Sequence, residues 1–522
     1  MNKIMYLPLD ERPCNYKFPV KLAELTDLEL IIPNRSLLGN KKKPADVSGL
    51  QKWLLENCQD ASYLIVSIDM LVYGGIVPSR IHHLTKEECL NRVNILNEIK
   101  ALNPTIKIYA FNLILRVSSN DRDEEEPFYY KNYGNKIWNY GWLTDKKERE
   151  GLIPEEKVHY NKLKETIPSE FLEDFIERRK KNKALNHYVL EMVEQGALTE
   201  LVVPLDDNSK YGFTAKEQKE LLFRVNELDI SHKVLIYPGA DDLGCSLFSK
   251  VFCDVKKYSP EIYVRYSSTW GPFMKPKYED RSLHESLKSQ IIAAGGFIID
   301  HSYDTNIILM VNSPATEQWS MAEQVPFSNR HATYFSEVNY REFIEAIKMY
   351  LGKGKNVSLA DVAVCNGSDT YLMNLLKKNN LINELSSYAG WNTSGNTLGT
   401  VIPHTIIHSY YNGYGSNKEK LKKDREFYLH RLVEDWGYQG IVRNDIIENH
   451  LPVLEASYFE IKHVQKDVEK LAESKIMDFV RENLDIDNLL ITNVNLPWVR
   501  MFEIDFELDL KLNKTFAGLF QN

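Results

Sequence analysis

Residues Glu200 to Gln218 read ELVVPLDDNSKYGFTAKEQ, an apolar run that ends abruptly in two adjacent carboxylates, Asp206 and Asp207. A polar turn follows, and then a charged amphipathic stretch with helical spacing. The pattern is a strand with acid at its tip, followed by a helix. It recurs: MYLPLDERP places Asp10, Glu11 and Arg12 after a run, YLIVSIDMLVYGG places Asp69, and KVLIYPGADD places Asp241 and Asp242 after Tyr237. In parallel α/β sheets the carboxyl ends of the strands carry the ligand-binding loops, because those loops vary while the packed sheet holds them in place.

Working outward, nine runs read as strands: Ile4 to Leu9, Leu28 to Ile32, Tyr63 to Ile68, Ile106 to Ile114, Leu201 to Leu205, Val234 to Tyr237, Ile262 to Tyr266, Ile307 to Val311 and Val357 to Val364. Charged, helix-favouring segments such as Lys86 to Leu102 and Ala215 to Leu228 separate most of them. Strand and helix in alternation predict a mostly parallel sheet, and Val- and Ile-rich runs without polar alternation suit strands covered on both faces. With Leu28 to Ile32 set aside as an edge or insertion, eight strands remain, and the expected fold is a (β/α)8-type barrel. Tandem doubly wound parallel sheets are the alternative with the same pattern.

The expected organisation is a barrel-like catalytic domain over residues 1–369, with a helical insertion at 118–186, and a mainly helical region over 370–522 that carries a terminal β element. The insertion is rich in Glu, Lys, Tyr and Trp; Tyr129, Tyr130, Tyr133 and Trp138 either wall a pocket or pack the insertion onto the barrel. Near the carboxy terminus, Phe502, Ile504, Phe506, Leu508 and Leu510 alternate with polar residues, which predicts a half-buried antiparallel strand.

Composition narrows the class of function. A chain of 522 residues, 43% hydrophobic and 26% charged, buries a large core. The net charge of -9 and the lack of a basic block argue against a nucleic-acid backbone as partner. The amino terminus lacks the apolar stretch of a secretory signal, and no apolar run approaches the ~20 residues of a membrane span. Six scattered cysteines without a C-x-x-C pair indicate neither disulfides nor a cysteine zinc site. The expectation is a cytoplasmic protein with no cofactor, no metal, no nucleic-acid partner and no membrane partner, with a homo-oligomer left open.

PLDERPCN, SIDMLVYGGIVPSR, LDDNSKYG, PGADD, ADVAVCNGSD and AGWNTSGNTLGT, in this order over most of the chain, resemble the bacterial family known as domain of unknown function 4127. Where the family tends to read PGADE, this chain carries Asp241 and Asp242. The resemblance implies membership and no activity.

Adjacent carboxylates at a strand end also resemble the arrangement in glycosidases that remove N-acetylhexosamines by substrate-assisted catalysis. By that resemblance Asp206 would orient and polarise the sugar's acetamido group, and Asp207 would be the general acid/base. Like charges side by side push two pKa values apart, so that one carboxyl keeps its proton while the other is ionised. Successive side chains on a strand point to opposite faces, so both reach one pocket only where the strand has given way to a turn. A small saccharide is thus the expected substrate. Asp10, Arg12, Asp69, Arg80, Asn112, Asp241 and Asp242 are candidates for its hydroxyls, and Tyr73 for an apolar ring face.

Asp10, Arg12, Asp69 and Arg80 also read as an internal ion-pair network. AGWNTSGNTLGT offers Trp391 as a stacking plate with Asn392 and Asn396 as neutral hydrogen-bonding groups, or else a turn whose Asn and Thr cap the next helix. His404 and His408 share the spacing of zinc-protease helices but lack the glutamate after the first histidine. Two further readings remain: a metal-dependent phosphoesterase using the six aspartates as oxygen ligands, and a saccharide-binding protein without catalysis.

Overall fold

The computed structural model describes residues 3–316, 325–484, 486 and 488–511. The chain divides into two compact units. The first comprises Met1–Tyr16, Leu28–Leu247 and Tyr278–Asp280, and the second Lys17–Asp27, Phe248–Lys277 and Arg281–Asn522.

The first unit holds a six-stranded parallel sheet built from β1 (Lys3–Leu7), β2 (Glu29–Ile31), β3 (Tyr63–Ser67), β4 (Lys107–Phe111), β5 (Glu200–Leu205) and β6 (Val234–Pro238), in the order β2-β1-β3-β4-β5-β6. β1, β3, β4 and β5 are buried along nearly their whole length, as their uninterrupted apolar runs require. β2 is short, half exposed and at the edge, which is the place its following proline suggests. The second unit holds β7 (Glu261–Tyr266), β8 (Phe297–Ile299), β9 (Ile307–Asn312), β10 (Asn356–Asp361) and β11 (Ser387–Ala389), all parallel, in the order β11-β10-β9-β7-β8.

These orders correct the barrel. Neither sheet closes on itself, and each is an open sheet whose first strand lies inside its second. All nine strand runs form strands, but they are shared between two sheets of the same winding, 2-1-3-4-5, with a sixth strand added to the first. Such sheets bind ligands outside the carboxyl ends, where the strand order reverses. The second unit carries strands that precede residue 369 and helices that follow it, so 369 does not separate compact units.

The insertion forms three helices, Tyr130–Arg149, Pro154–Thr166 and Ser169–Glu194. Tyr129 and Tyr130 are buried with Ile137, Tyr160 and Phe175 in a core of their own, against which Tyr133 and Trp138 pack. In the second unit a helix, Ser394–Tyr414, lies along β10 and β11. The helix Lys418–Arg431 runs on into an 11-residue π-helix, Leu432–Val442. An antiparallel pair, β12 (Leu489–Asn495) and β13 (Asp505–Leu510), completes the unit. In β13 Phe506, Leu508 and Leu510 are buried and alternate with exposed acids, as the alternation predicts.

Candidate functional site

Every strand of the first sheet except β2 delivers polar residues to its carboxyl end. Beyond β5 the chain leaves the strand at Leu205, and Asp207 takes a left-handed backbone conformation, φ +47°. A residue with a Cβ pays about 1 kcal/mol for that conformation, and aspartate tolerates it better than most. The turn breaks strand alternation between Asp206 and Asp207. Asp206 is mostly buried, and its Oδ2 accepts a 2.6 Å bond from Arg80 Nη2. Asp207 keeps 35% of its side chain exposed. Burial of its surroundings, and then the charge of Asp206, push its pKa up to about 6, against the opposing pull of Arg116 and Arg80.

Arg80 reaches the site from the helix Ile76–Ile81, which follows β3, and its Nη1 also donates to Glu125 Oε2 at 3.0 Å. Arg116, on the segment leaving β4, donates from Nε to Glu126 at 3.0 Å and from Nη2 to Glu125 at 3.1 Å, while its Nη1 stands 3.6 Å from Asp207 Oδ2. Asp69, at the head of the helix Ile68–Tyr73, is buried and accepts the Leu113 amide at 2.9 Å and Asn112 Nδ2 at 3.3 Å. Burial raises its pKa to about 7, with the Asp206 charge adding to the effect. Asn112 in turn accepts from Asn186 at 3.0 Å.

A second network joins the ends of β1 and β6. Arg12 donates twice to Asp10 Oδ2, at 2.6 and 2.9 Å, and twice to the Asp241 carboxylate, at 2.5 and 3.1 Å. Asn15 donates to Asp10 at 3.0 Å and to Asp241 at 3.3 Å. Three strands lie between β1 and β6 in the sheet, and the loops that leave the two strands meet across its carboxyl end. Burial raises the pKa of Asp241 despite Arg12. Asp242 is buried, and its carbonyl accepts the amides of Cys245 and Ser246 at the start of the helix Leu243–Lys256.

The structure therefore brings Asp10, Arg12, Asp69, Arg80, Asn112, Asp206, Asp207, Asp241 and Asp242 to the carboxyl ends of the strands of one sheet, where Asp10, Arg12 and Asp241 pair with one another, Arg80 pairs with Asp206, and Asn112 bonds Asp69. Tyr73 is 3% exposed and stacks on His82 at 4.5 Å, which makes it a core residue rather than a ring face for a ligand.

Trp391, Asn392 and Asn396 belong to the second unit. Trp391 is 3% exposed, its indole N–H donates to Thr400 Oγ1 at 3.1 Å, and its ring meets Phe18 edge-on. Thr393 caps the helix Ser394–Tyr414, and Asn392 Nδ2 donates to Asn396 Oδ1 at 2.7 Å. The glycine-punctuated stretch is a capped turn over a buried tryptophan. His404 and His408 both bond Asp424, at 3.0 and 2.8 Å. Among the described residues no group of three or more His, Cys, Asp or Glu is arranged to hold a metal ion.

Arg116, Glu125 and Glu126 went unrecognised in the sequence. The acid run DEEE at 123–126 falls within the insertion at 118–186, and only the fold brings two of those acids onto Arg116. A cavity of about 160 Å³ lies among the insertion helices and the helix Phe213–Glu227, but its charged walls are already paired, Arg179 with Glu217 and Lys183 with Glu220.

The second sheet has its own buried polar end. Asn312 donates to Asp361 at 2.8 Å, Tyr340 donates to Asp369 at 2.7 Å, and Arg330 pairs with Asp369. Burial and the neighbouring Asp369 raise Asp361 to about 7. On the π-helix, burial raises Glu434 to about 8 and Asp435 to about 6.

Among the described residues no helix is long and apolar enough to cross a membrane. A family model described as a protein of unknown function (DUF4127) matches residues 4–507. No curated protein matches the chain.

Proposed function

The chain belongs to the DUF4127 family, whose description assigns no activity, and from that premise we propose that it is a cytoplasmic glycoside hydrolase removing terminal β-N-acetylhexosamine with retention of configuration. The observation that carries the reading is the pair at the end of β5, where two adjacent carboxyls have unlike surroundings. Asp206 is held by the Arg80 guanidinium at 2.6 Å, whereas Asp207 keeps its proton up to about pH 6. Such a division of environments separates an acid from a charge stabiliser.

In this mechanism the acetamido oxygen of the substrate attacks the anomeric carbon as the glycosidic C–O bond breaks. The Asp207 proton passes to the leaving oxygen, and ionised Asp206 stabilises the positive charge that develops on the acetamido nitrogen. The Asp207 carboxylate then takes a proton from the water that adds to the anomeric carbon and opens the oxazolinium ring. No enzyme nucleophile is needed, which suits a site where arginines occupy Asp10, Asp241, Glu125 and Glu126 and the Leu113 amide and Asn112 occupy Asp69. Six buried, free cysteines agree with a reducing compartment.

Hydrolysis of chromogenic β-N-acetylglucosaminide and β-N-acetylgalactosaminide, with and without chelator, tests the reading. The expected outcome is chelator-insensitive turnover, inhibition by a thiazoline mimic, and a loss of ~10²–10⁴-fold in kcat for both Asp206→Asn and Asp207→Asn. Since the acid must be protonated, kcat/KM should fall as pH rises through about 6. Turnover of phosphate esters that depends on added Mn²⁺ would assign the carboxylates to a metal instead.

A further inference from the structure

Two guanidinium groups serve four carboxylates at the mouth of the first sheet. Arg80 divides its donors between Asp206 and Glu125, at 2.6 and 3.0 Å. Arg116 gives both of its hydrogen bonds to the glutamates, at 3.0 and 3.1 Å, and its third nitrogen stands 3.6 Å from Asp207, beyond hydrogen-bond reach. The backbone of Arg116 is itself anchored, since Arg179 donates to the carbonyls of Leu115 at 2.9 Å and Arg116 at 3.2 Å. With the backbone held, the direction of the Arg116 side chain depends on which carboxylates compete for it.

We propose that Glu125 and Glu126 are positioning residues that hold the Arg116 guanidinium back from the Asp207 carboxylate. The inference rests on the assignment of Asp207 as the general acid. A guanidinium closed onto Asp207 would favour the carboxylate and strip the acid of its proton at working pH. The charged groups that act most strongly on Asp207 are Asp206 on its own turn, Arg116 and Glu125 from the segment after β4, and Arg80 from the helix Ile76–Ile81. Asp206 and Glu125 favour the protonated form and the two arginines oppose it. Replacing the glutamates by glutamine removes one charge that keeps the proton on and frees one that takes it off, so both consequences have the same sign.

The test is a carboxyl ¹³C NMR titration of the full chain with labelled aspartate, the Asp207 signal being assigned by its absence in Asp207→Asn. In the Glu125→Gln/Glu126→Gln chain the Asp207 midpoint should drop from about 6 by roughly one pH unit or more, and the alkaline limb of kcat/KM should move with it. The Glu125→Asp/Glu126→Asp chain, which keeps both charges, should hold most of the midpoint, and Arg116→Gln should move it upward. An unmoved midpoint in the double-glutamine chain with an unchanged thermal transition overturns the proposal. So does an unmoved midpoint in a folded Arg116→Gln chain, should the double variant not fold. The titration needs no turnover: a shifted midpoint without glycoside hydrolysis leaves the clamp standing and removes the hydrolase reading. Hydrolysis that depends on Asp207, with midpoints unmoved, does the reverse.

Discussion

Arg12 meets two carboxylates with one guanidinium, and its removal would strand both in a buried setting. Asp10 and Arg12 are 2% and 5% exposed. An uncompensated buried charge costs about 3–5 kcal/mol, so Arg12→Ala is expected to destabilise the first unit by that order in denaturant titration. Arg12→Lys should recover only part of the loss, because an ammonium cannot make the paired bonds to both Asp10 and Asp241. The sequence shows these residues as strand-end acids and bases and offers an ion-pair network of Asp10 and Arg12 as one reading, but nothing in it marks Asp241 as a partner of Arg12. Arg12 and Asp241 are 229 residues apart, and whether an arginine meets a hydroxyl of a ligand or an aspartate from another loop depends on which loops meet across the sheet.

At the scale of elements, AGWNTSGNTLGT shows how one local pattern carries two readings. Trp391 flanked by glycine and asparagine is equally a ligand plate and a capped turn until its burial is known. The Trp391→Ala chain should lose about 3–5 kcal/mol through the cavity left behind, read as a lower thermal transition of the second unit. A stacking role would instead leave that transition in place and raise KM. The turn after the helix Ile68–Tyr73 shows the opposite case, where the local pattern is decisive. Gly74 has φ +84°, and a Cβ there would lie 2.6 Å from the Ala45 amide nitrogen. Both constraints require glycine, so Gly74→Ala should cost more than about 1 kcal/mol.

Over the whole molecule, buried acids set the pH dependence of stability. Asp69 and Asp361 titrate at about 7 and Glu434 at about 8 in the folded chain, whereas unfolded carboxyls have released their protons by about pH 5. Between roughly pH 6.5 and 8.5 the native state therefore binds more protons than the unfolded state, and stability falls as pH rises. His408, raised by Asp424, acts with the same sign. Below about pH 6.5 the half-buried His82 and the buried His404 and His430, held neutral chiefly by burial, oppose the acids and flatten the curve. Scanning calorimetry at pH 6.5, 7.5 and 8.5 should show falling transition temperatures; a rise across that interval would contradict these assignments.

The amino-acid sequence by itself determined the α/β class, the nine strand runs, the helical character of the segment after β4, the half-buried terminal strand and the delivery of carboxylates to the carboxyl ends, and it left β2 as an edge or an insertion. Each of these follows from hydrophobic periodicity and chain punctuation, which act over a few residues. Only the tertiary structure decided that the strands divide between two open sheets instead of closing one barrel, because the pairing of distant strands leaves no trace in local spacing. β8 and β11, three residues each, are strands only through their pairing with β7 and β10. The same limit governs the site. Asp206 and Asp207 were legible as neighbours on the chain, while Glu125 and Glu126 became part of the site through Arg80 and Arg116, charges that only folding brings to them.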